Sequence, residues 1–137
     1  MGRNEEENQH ARKGYRTILK QEIVAGLAEL KRPNSGLFLS SISAGLDLGF
    51  SVLLMGVIAT HFTGLGPEFL RIAIANAYSV GFILVILGRS ELFTEHTALA
   101  MLPVLDGRSS VRDLARVWGI VFAGNALGAL VFAGVLQ

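Results

Sequence analysis

A stretch of ten residues with four ionisable groups interrupts an apolar part of this chain. Residues 88–97 read GRSELFTEHT and stand between the apolar runs 83–87 and 98–105. The ionisable residues are Arg89, Glu91, Glu95 and His96. Inside a bilayer, backbone can leave the helical conformation only where it is buried in protein or lines a water-filled path. If the flanking runs cross a membrane, we therefore expect this stretch to lie in a loop against protein, beside a pore.

The apolar segments have lengths that suit a membrane. Residues 37–60 contain a single charge, Asp47, and residues 117–136 contain none. A bilayer core requires about 20 helical residues. The 16 glycines and the 51% hydrophobic content also suit helices that pack closely in lipid. We predict an all-α membrane protein whose three spans lie at about 37–60, 69–105 and 112–136, the second broken by a re-entrant loop near 89–97.

The polar N-terminal region is expected to stay outside the membrane. Residues 1–13 have no apolar periodicity and predict a mobile tail. Residues 14–32 predict an amphipathic helix that is too charged to span a membrane, because apolar side chains recur at helical spacing at Ile18, Ile23, Leu27 and Leu30. Pro33 and an expected turn at 34–36 end this helix. It lies either on the membrane surface or against a partner, as a soluble helix would.

The distribution of Lys and Arg predicts the orientation. Seven of the 12 basic residues precede the first span, and three more lie between the second and third spans. Both groups fall on one side of a three-span protein, which places the N-terminus in the cytoplasm. The basic residues adjoin apolar spans and form no folded basic face with stacking aromatics, so nucleic-acid binding is not expected.

Small residues recur at four-residue spacing on two of the spans, which allows close helix packing in lipid. They are Ser41, Gly45 and Gly49 on the first span and Gly124 and Gly128 on the third. Asn125 lies within this face and is expected to bond to a neighbouring helix. Asp47 has two interpretations. It faces water or an ionic partner inside the bundle, or the span begins later and Asp47 lies near the interface.

A metal site is a further interpretation of the charged stretch. On a helix, Glu91 and Glu95 would share a face, and His61 could supply a third ligand. No HExxH or ExxH spacing is present, and the chain has no cysteine. We therefore predict no metal, no cofactor and no catalytic residue.

Two segments resemble the formate/nitrite transporter family. YSVGFILVILGRSELFTEHTALAML (78–102) is similar to that family's second span, a helix interrupted by a loop that bears Glu/Asp-Leu-Phe-Thr after a glycine. Here Gly88 precedes the ELFT sequence at 91–94. VWGIVFAGNALGALVF (117–132) is similar to the third span, with its Gly-Asn pair at Gly124 and Asn125. The resemblance covers about residues 14–137.

The resemblance implies a pentameric bundle in a bacterial inner membrane, in which each protomer has its own pore for small monovalent anions such as formate, nitrite or hydrosulfide. Tyr78 and Phe82 would be constriction residues. Leu92 and Phe93 would form a narrow slit, and Thr94 would be the polar contact in a mobile loop.

The chain departs from the family pattern in two respects. The family has six spans in two inverted halves, with a pore histidine in the fifth, whereas this chain matches the first three. We expect an N-terminal half that needs a second half or self-pairing to form a pore. In addition, Glu95 and His96 replace small or uncharged residues, and Glu95 would repel an anion unless it is protonated or paired with Arg89 or His96. The alternative is a membrane adaptor that oligomerises through its glycine faces and transports nothing.

Overall fold

The computed structural model describes residues 2–62, 64 and 66–136, with side chains from residue 14 onward. This described part contains five helices and no strand, which confirms the all-α prediction. In chain order they are α1 (Gly2–Leu30), α2 (Asn34–His61), α3 (Pro67–Gly88), α4 (Phe93–Leu105) and α5 (Val111–Val135).

Three of these helices, α2, α3 and α5, are long and apolar enough to cross a membrane. They have 28, 22 and 25 residues, and at a rise of about 1.5 Å per residue each exceeds a bilayer core of about 30 Å. The second predicted span is built from α3 and the 13-residue α4. The prediction of three apolar spans is therefore confirmed, and α3 and α4 are separate helices within the second of them.

The N-terminal helix α1 begins at Gly2 rather than at the expected residue 14, because residues 2–13 are helical as well. Their Glu, Gln, Ala, Arg and Lys residues are strong helix formers, and no proline interrupts them. Met1 lies outside the described residues. The C-terminal part of α1 packs on α4, where a Cβ at Gly26 would lie 2.9 Å from the Pro103 ring and would also meet the Leu99 carbonyl.

The expected turn at residues 34–36 is wrong, since these residues form the first turn of α2. Pro33 is the N-cap in an extended conformation (φ −65°, ψ 139°), and its carbonyl accepts the Leu37 N–H at 3.1 Å. Because proline fixes φ and leaves its carbonyl available, a connection of three residues, 31–33, suffices to separate α1 from α2. The charged end of α1 therefore lies directly beside the start of the first span.

Helix α2 packs against α5 on one side through glycines. A Cβ added at Gly45 would lie 2.9 Å from the Gly128 Cα and would collide with the Asn125 carbonyl. A Cβ at Gly124 would lie 2.5 Å from the Ser41 Cβ, and one at Gly49 would enter the Phe132 ring. These glycine faces are therefore occupied within the chain.

On its other side α2 packs against α3. The Ser51 hydroxyl donates to the Tyr78 carbonyl and accepts the Gly81 N–H, each at 2.7 Å. A Cβ at Gly81 would lie 2.7 Å from the Asp47 carbonyl oxygen. This contact fixes α3 along α2 and brings the end of α3 beside the middle of α2.

Candidate functional site at the helix break

Residues 89–92 separate α3 from α4 and are called the helix break here. Arg89 is left-handed (φ 51°, ψ 40°), and the Ser90 N–H donates to the Val85 carbonyl at 3.0 Å, which closes the end of α3. Leu92 is extended (φ −91°, ψ 129°) and caps α4. The break is thus shorter than the predicted 89–97.

Thr94, Glu95 and His96 were expected in a loop, and that expectation is wrong, because they lie in the first turn of α4. The N–H groups of Glu95 and His96 both donate to the Leu92 carbonyl at 3.1 Å. An acidic residue in a first helical turn is also favoured by the helix dipole. These polar side chains are therefore presented by a helix of defined geometry.

The break lies level with the middle of the spanning helices. Asp47, which contacts it, is 13 residues after Asn34, the first residue of the 28-residue α2, or about 20 Å along the axis. Asn125, which also contacts it, is 14 residues after Val111 at the start of α5. The break therefore lies beside the middle of α2 and α5, at the C-terminal end of α3.

Asn125 holds the break from α5. Its amide nitrogen donates to the carbonyls of Ser41 and Glu91, each at 2.8 Å. Its side-chain oxygen accepts the N–H of Phe93, the first residue of α4, at 2.9 Å. The amide thus satisfies backbone groups of the break and of the start of α4, and it links both to α2.

Helix α2 supplies two further contacts to the break. The Ser40 hydroxyl accepts the Glu91 N–H at 3.2 Å, and the Ser90 hydroxyl donates to Asp47 Oδ2 at 2.8 Å. Helix α2 begins at Asn34, so Asp47 lies near its middle. Asp47 is half-buried beside the break, and its described partner there is a hydroxyl rather than an ion.

Glu91 is the buried charge of the break, with an exposed fraction of 3%. Its carboxylate contacts Arg32 Nη1 and His96 Nε2, and Arg32 Nη1 lies 3.1 Å from Glu29 as well. His96 Nδ1 lies 3.2 Å from the Leu92 carbonyl, so both ring nitrogens of a protonated imidazole would have acceptors. This ion-pair network joins the end of α1 to the break.

The expected pairing of Glu95 with Arg89 or His96 does not form among the described residues. Among the described residues, the partner of His96 is Glu91, and neither Glu95 nor Arg89 belongs to an ion pair. Glu91 reaches the ring from the extended break, whereas Glu95 is the residue next to His96 and points about 100° away around α4. Arg32 was missed because no local pattern relates it to a residue 59 positions later.

An open cleft of about 410 Å³ adjoins this network. It is polar and carries both signs of charge. Its lining residues are Glu29, Arg32, Val85, Ile86, Arg89, Ser90, Glu91, Glu95 and His96.

The aromatic and apolar residues expected in the pore lie on two sides of the break. Phe82 packs beside the buried cluster that contains Leu92, and the ring centroids of Tyr78 and Phe82 are 5.2 Å apart. Phe93 instead packs edge-on against Trp118 and Phe122 of α5, with centroid distances of 6.2 and 5.7 Å. Helix α5 therefore receives the Phe93 ring in a defined position.

Thr94 is exposed at the start of α4. Its hydroxyl and its N–H make no hydrogen bond with any described residue. The neighbouring Thr97 differs, since its hydroxyl donates to the Phe93 carbonyl. Thr94 thus presents two adjacent donors at a helix N-terminus, where the helix dipole favours negative charge.

The metal arrangement considered for Glu91, Glu95 and His61 does not form. Glu91 is in the extended break rather than on a helix with Glu95, and His61 ends α2, about 30 Å along that helix from Ser41. Glu29, Glu91 and His96 do bring ligand atoms within 4.8 Å of one another. The Arg32 guanidinium already lies on both carboxylates, so the cluster is explained as an ion-pair network.

Comparison with known proteins decides the family. The family described as "Formate/nitrite transporter" matches residues 16–137. This chain belongs to the formate/nitrite transporter family. The family that the ELFT sequence and the Gly-Asn pair indicated is thereby confirmed, and with three apolar helices the chain is an integral membrane protein.

The curated relatives are longer than this chain. The inner membrane protein YfdC of Escherichia coli (strain K12) is 41% identical over 114 residues, which cover 82% of this chain and 36% of YfdC. The formate channel FocA of Haemophilus influenzae is 30% identical over 99 residues, 72% of this chain and 34% of FocA. A probable formate transporter of Methanothermobacter thermautotrophicus is 30% identical over 113 residues, 80% of this chain and 41% of the relative.

Proposed function

We propose that this chain forms part of a transmembrane path for small monovalent anions such as formate or nitrite. The observation that carries the proposal is the polar helix break, which lies level with the middle of α2 and α5 and whose backbone is held by Asn125. Irregular backbone at that depth requires a protein-lined or water-filled surrounding. Relatives named as a formate channel and a probable formate transporter support the substrate class.

Thr94 is the proposed anion contact. Its hydroxyl and N–H are both unused by the described part of the chain, and they lie in the first turn of α4. Interrupted spans commonly direct such helix N-termini at the anionic groups of a substrate. A monocarboxylate that has lost part of its water shell could accept both hydrogen bonds.

The apolar residues would select against hydrated ions. Tyr78 and Phe82 would narrow the path along α3, and Leu92 and Phe93 would narrow it at the break, because apolar constrictions exclude ions that keep their water. Glu95 would oppose anion entry while charged. Arg89, which lines the same cleft and forms no ion pair within the described residues, would offset that charge.

The proposed setting is a bacterial inner membrane with the N-terminus in the cytoplasm. The excess of Lys and Arg before α2 supports this orientation, and the name of YfdC supports the membrane. A homo-oligomer, a pentamer by family resemblance, or a complementing half would supply the wall opposite the break.

The packing of α2 on α5 favours the anion path over the adaptor alternative. The adaptor requires glycine faces that are free to contact other chains, whereas α2 and α5 bury theirs against each other. The glycines concerned are Gly45, Gly49, Gly124 and Gly128.

The test is formate and nitrite uptake into liposomes that contain this chain, with and without a pH gradient. Thr94→Val should lower uptake about tenfold, because a hydrogen bond to a charged group is worth about 1.5 kcal/mol or more. Thr97→Val is the matched control on the same helix, since its hydroxyl is engaged with the Phe93 carbonyl. Uptake no faster than in protein-free liposomes, from protein with intact helical content, would contradict the proposal.

A further inference from the structure

Asp47 is an acidic residue at the centre of a spanning helix. It lies 13 residues after Asn34 and 14 residues before His61 in α2. A charged carboxylate at the middle of a bilayer is unfavourable by several kcal/mol unless water or a cation surrounds it. Such a residue therefore calls for a functional explanation.

The described residues supply no cation to Asp47. None of their ion pairs includes it. Arg89, the nearest base along the break, is unpaired there, and Glu91 is engaged by Arg32 and His96. From α3, a Cβ added at Gly88 would lie 3.8 Å from Asp47 Oδ2, so this neighbour is uncharged.

The described hydrogen-bond partner of the Asp47 carboxylate, the Ser90 hydroxyl, can bond to it in both protonation states. Ser90 Oγ lies 2.8 Å from Asp47 Oδ2. A hydroxyl donates to a carboxylate, and after rotation of its O–H bond it accepts a hydrogen bond from a carboxylic acid. The contact can therefore persist when Asp47 gains or loses a proton, whereas a cation partner would favour the charged state alone.

We propose that Asp47 is a proton-binding site of the transport path, and that anions pass the helix break while Asp47 is protonated. The proton comes from the aqueous phase, forms an O–H bond on the carboxylate, and returns to water when that bond breaks. While Asp47 is charged, its carboxylate accepts the hydrogen bond of Ser90 and repels an anion at the break. Protonation removes that charge and leaves Ser90 in place. This inference rests on the proposed anion path.

Proton binding can be measured without any transport. The chain in liposomes is titrated from alkaline to acid pH, and the carbonyl stretching band of protonated carboxyl groups is followed by infrared difference spectroscopy. Asp47→Asn should remove one component of this band and should still fold, because its amide oxygen can accept the Ser90 hydroxyl. Glu68→Gln is the control, since Glu68 is exposed in the first turn of α3 and its component belongs to a surface acid. A difference band that is identical in wild type and Asp47→Asn would overturn the proposal.

Formate uptake then tests the role in permeation. In wild type, formate uptake above the protein-free background should increase as pH falls. At pH values above the midpoint of Asp47 protonation, each unit of lower pH should increase uptake about tenfold, because the fraction of a single site that carries a proton increases by that factor. In Asp47→Asn uptake should be nearly independent of pH, and Asp47→Glu should restore the dependence. An unchanged pH profile in Asp47→Asn would overturn the role of Asp47. Absent wild-type uptake together with an Asp47 infrared component would instead reject the proposed function and leave the proton site standing.

Discussion

Replacing Asn125 tests whether one side chain holds the helix break in place. In Asn125→Ala, the Phe93 N–H and the Glu91 carbonyl lose their hydrogen-bond partner, and the Ser41 carbonyl loses one donor. Water cannot readily replace these bonds in a packed membrane protein. We therefore expect both a lower free energy of unfolding and a less ordered start of α4.

The magnitude follows from the number of bonds. Interhelical hydrogen bonds in membranes average about 0.6 kcal/mol, and typical intramolecular bonds in proteins reach about 1.5 kcal/mol. The three bonds of Asn125 therefore give an expected loss of about 2 to 4.5 kcal/mol. Asn125→Asp keeps the oxygen that accepts the Phe93 N–H but loses both N–H donors. If its carboxylate stays charged, the free energy of unfolding should fall at least as much as in Asn125→Ala.

The assay is reversible unfolding of the reconstituted chain by denaturing detergent, followed by circular dichroism. Asn76→Ala is the matched control, because the Asn76 amide is exposed and, among the described residues, bonds only to the Ile72 carbonyl of its own helix, at 2.8 Å. That control should stay within about 0.5 kcal/mol of wild type. If Asn125→Ala also stays within that margin, the reasoning about the break is refuted.

Two further predictions concern packing and charge. Gly45→Leu should destabilise the protein by about 3 kcal/mol or more, because its side chain would meet the backbone of α5; Gly56→Leu, where a Cβ meets no atom within 4 Å, should not. Equal unfolding midpoints for the two variants would contradict the packing of α2 on α5. Arg32→Ala should destabilise by about 3 kcal/mol, because it leaves Glu91 buried without its guanidinium. A free energy of unfolding within about 0.5 kcal/mol of wild type would argue against this ion pair.

The sequence was sufficient for the elements that depend on local pattern. Apolar length predicted α2, α3 and α5, because the bilayer sets how many residues a span needs. The polar interruption predicted a break in the second span, which the structure places at residues 89–92. The family, inferred from ELFT and from the Gly-Asn pair, is confirmed by the match over residues 16–137.

The details of the site depended on tertiary contacts, which local pattern does not contain. Thr94, Glu95 and His96 were interpreted as loop because they are polar, yet a helix begins at Phe93, whose N–H is accepted by Asn125 on α5. The partner of Glu91 comes from the end of α1, 59 residues earlier. Neither contact could be deduced from spacing along the chain.

The most direct test of the account is the thiol reactivity of Thr94→Cys in liposomes, using a small anionic thiol reagent. The chain has no cysteine, so no other substitution is required. Leu87→Cys is the control, because Leu87 is 77% exposed at the end of α3 and should face lipid in a membrane. The account predicts that Thr94→Cys reacts, that formate slows the reaction, and that Leu87→Cys does not react. An unreactive Thr94→Cys, or a Leu87→Cys that reacts equally fast, would contradict an aqueous anion path at the helix break.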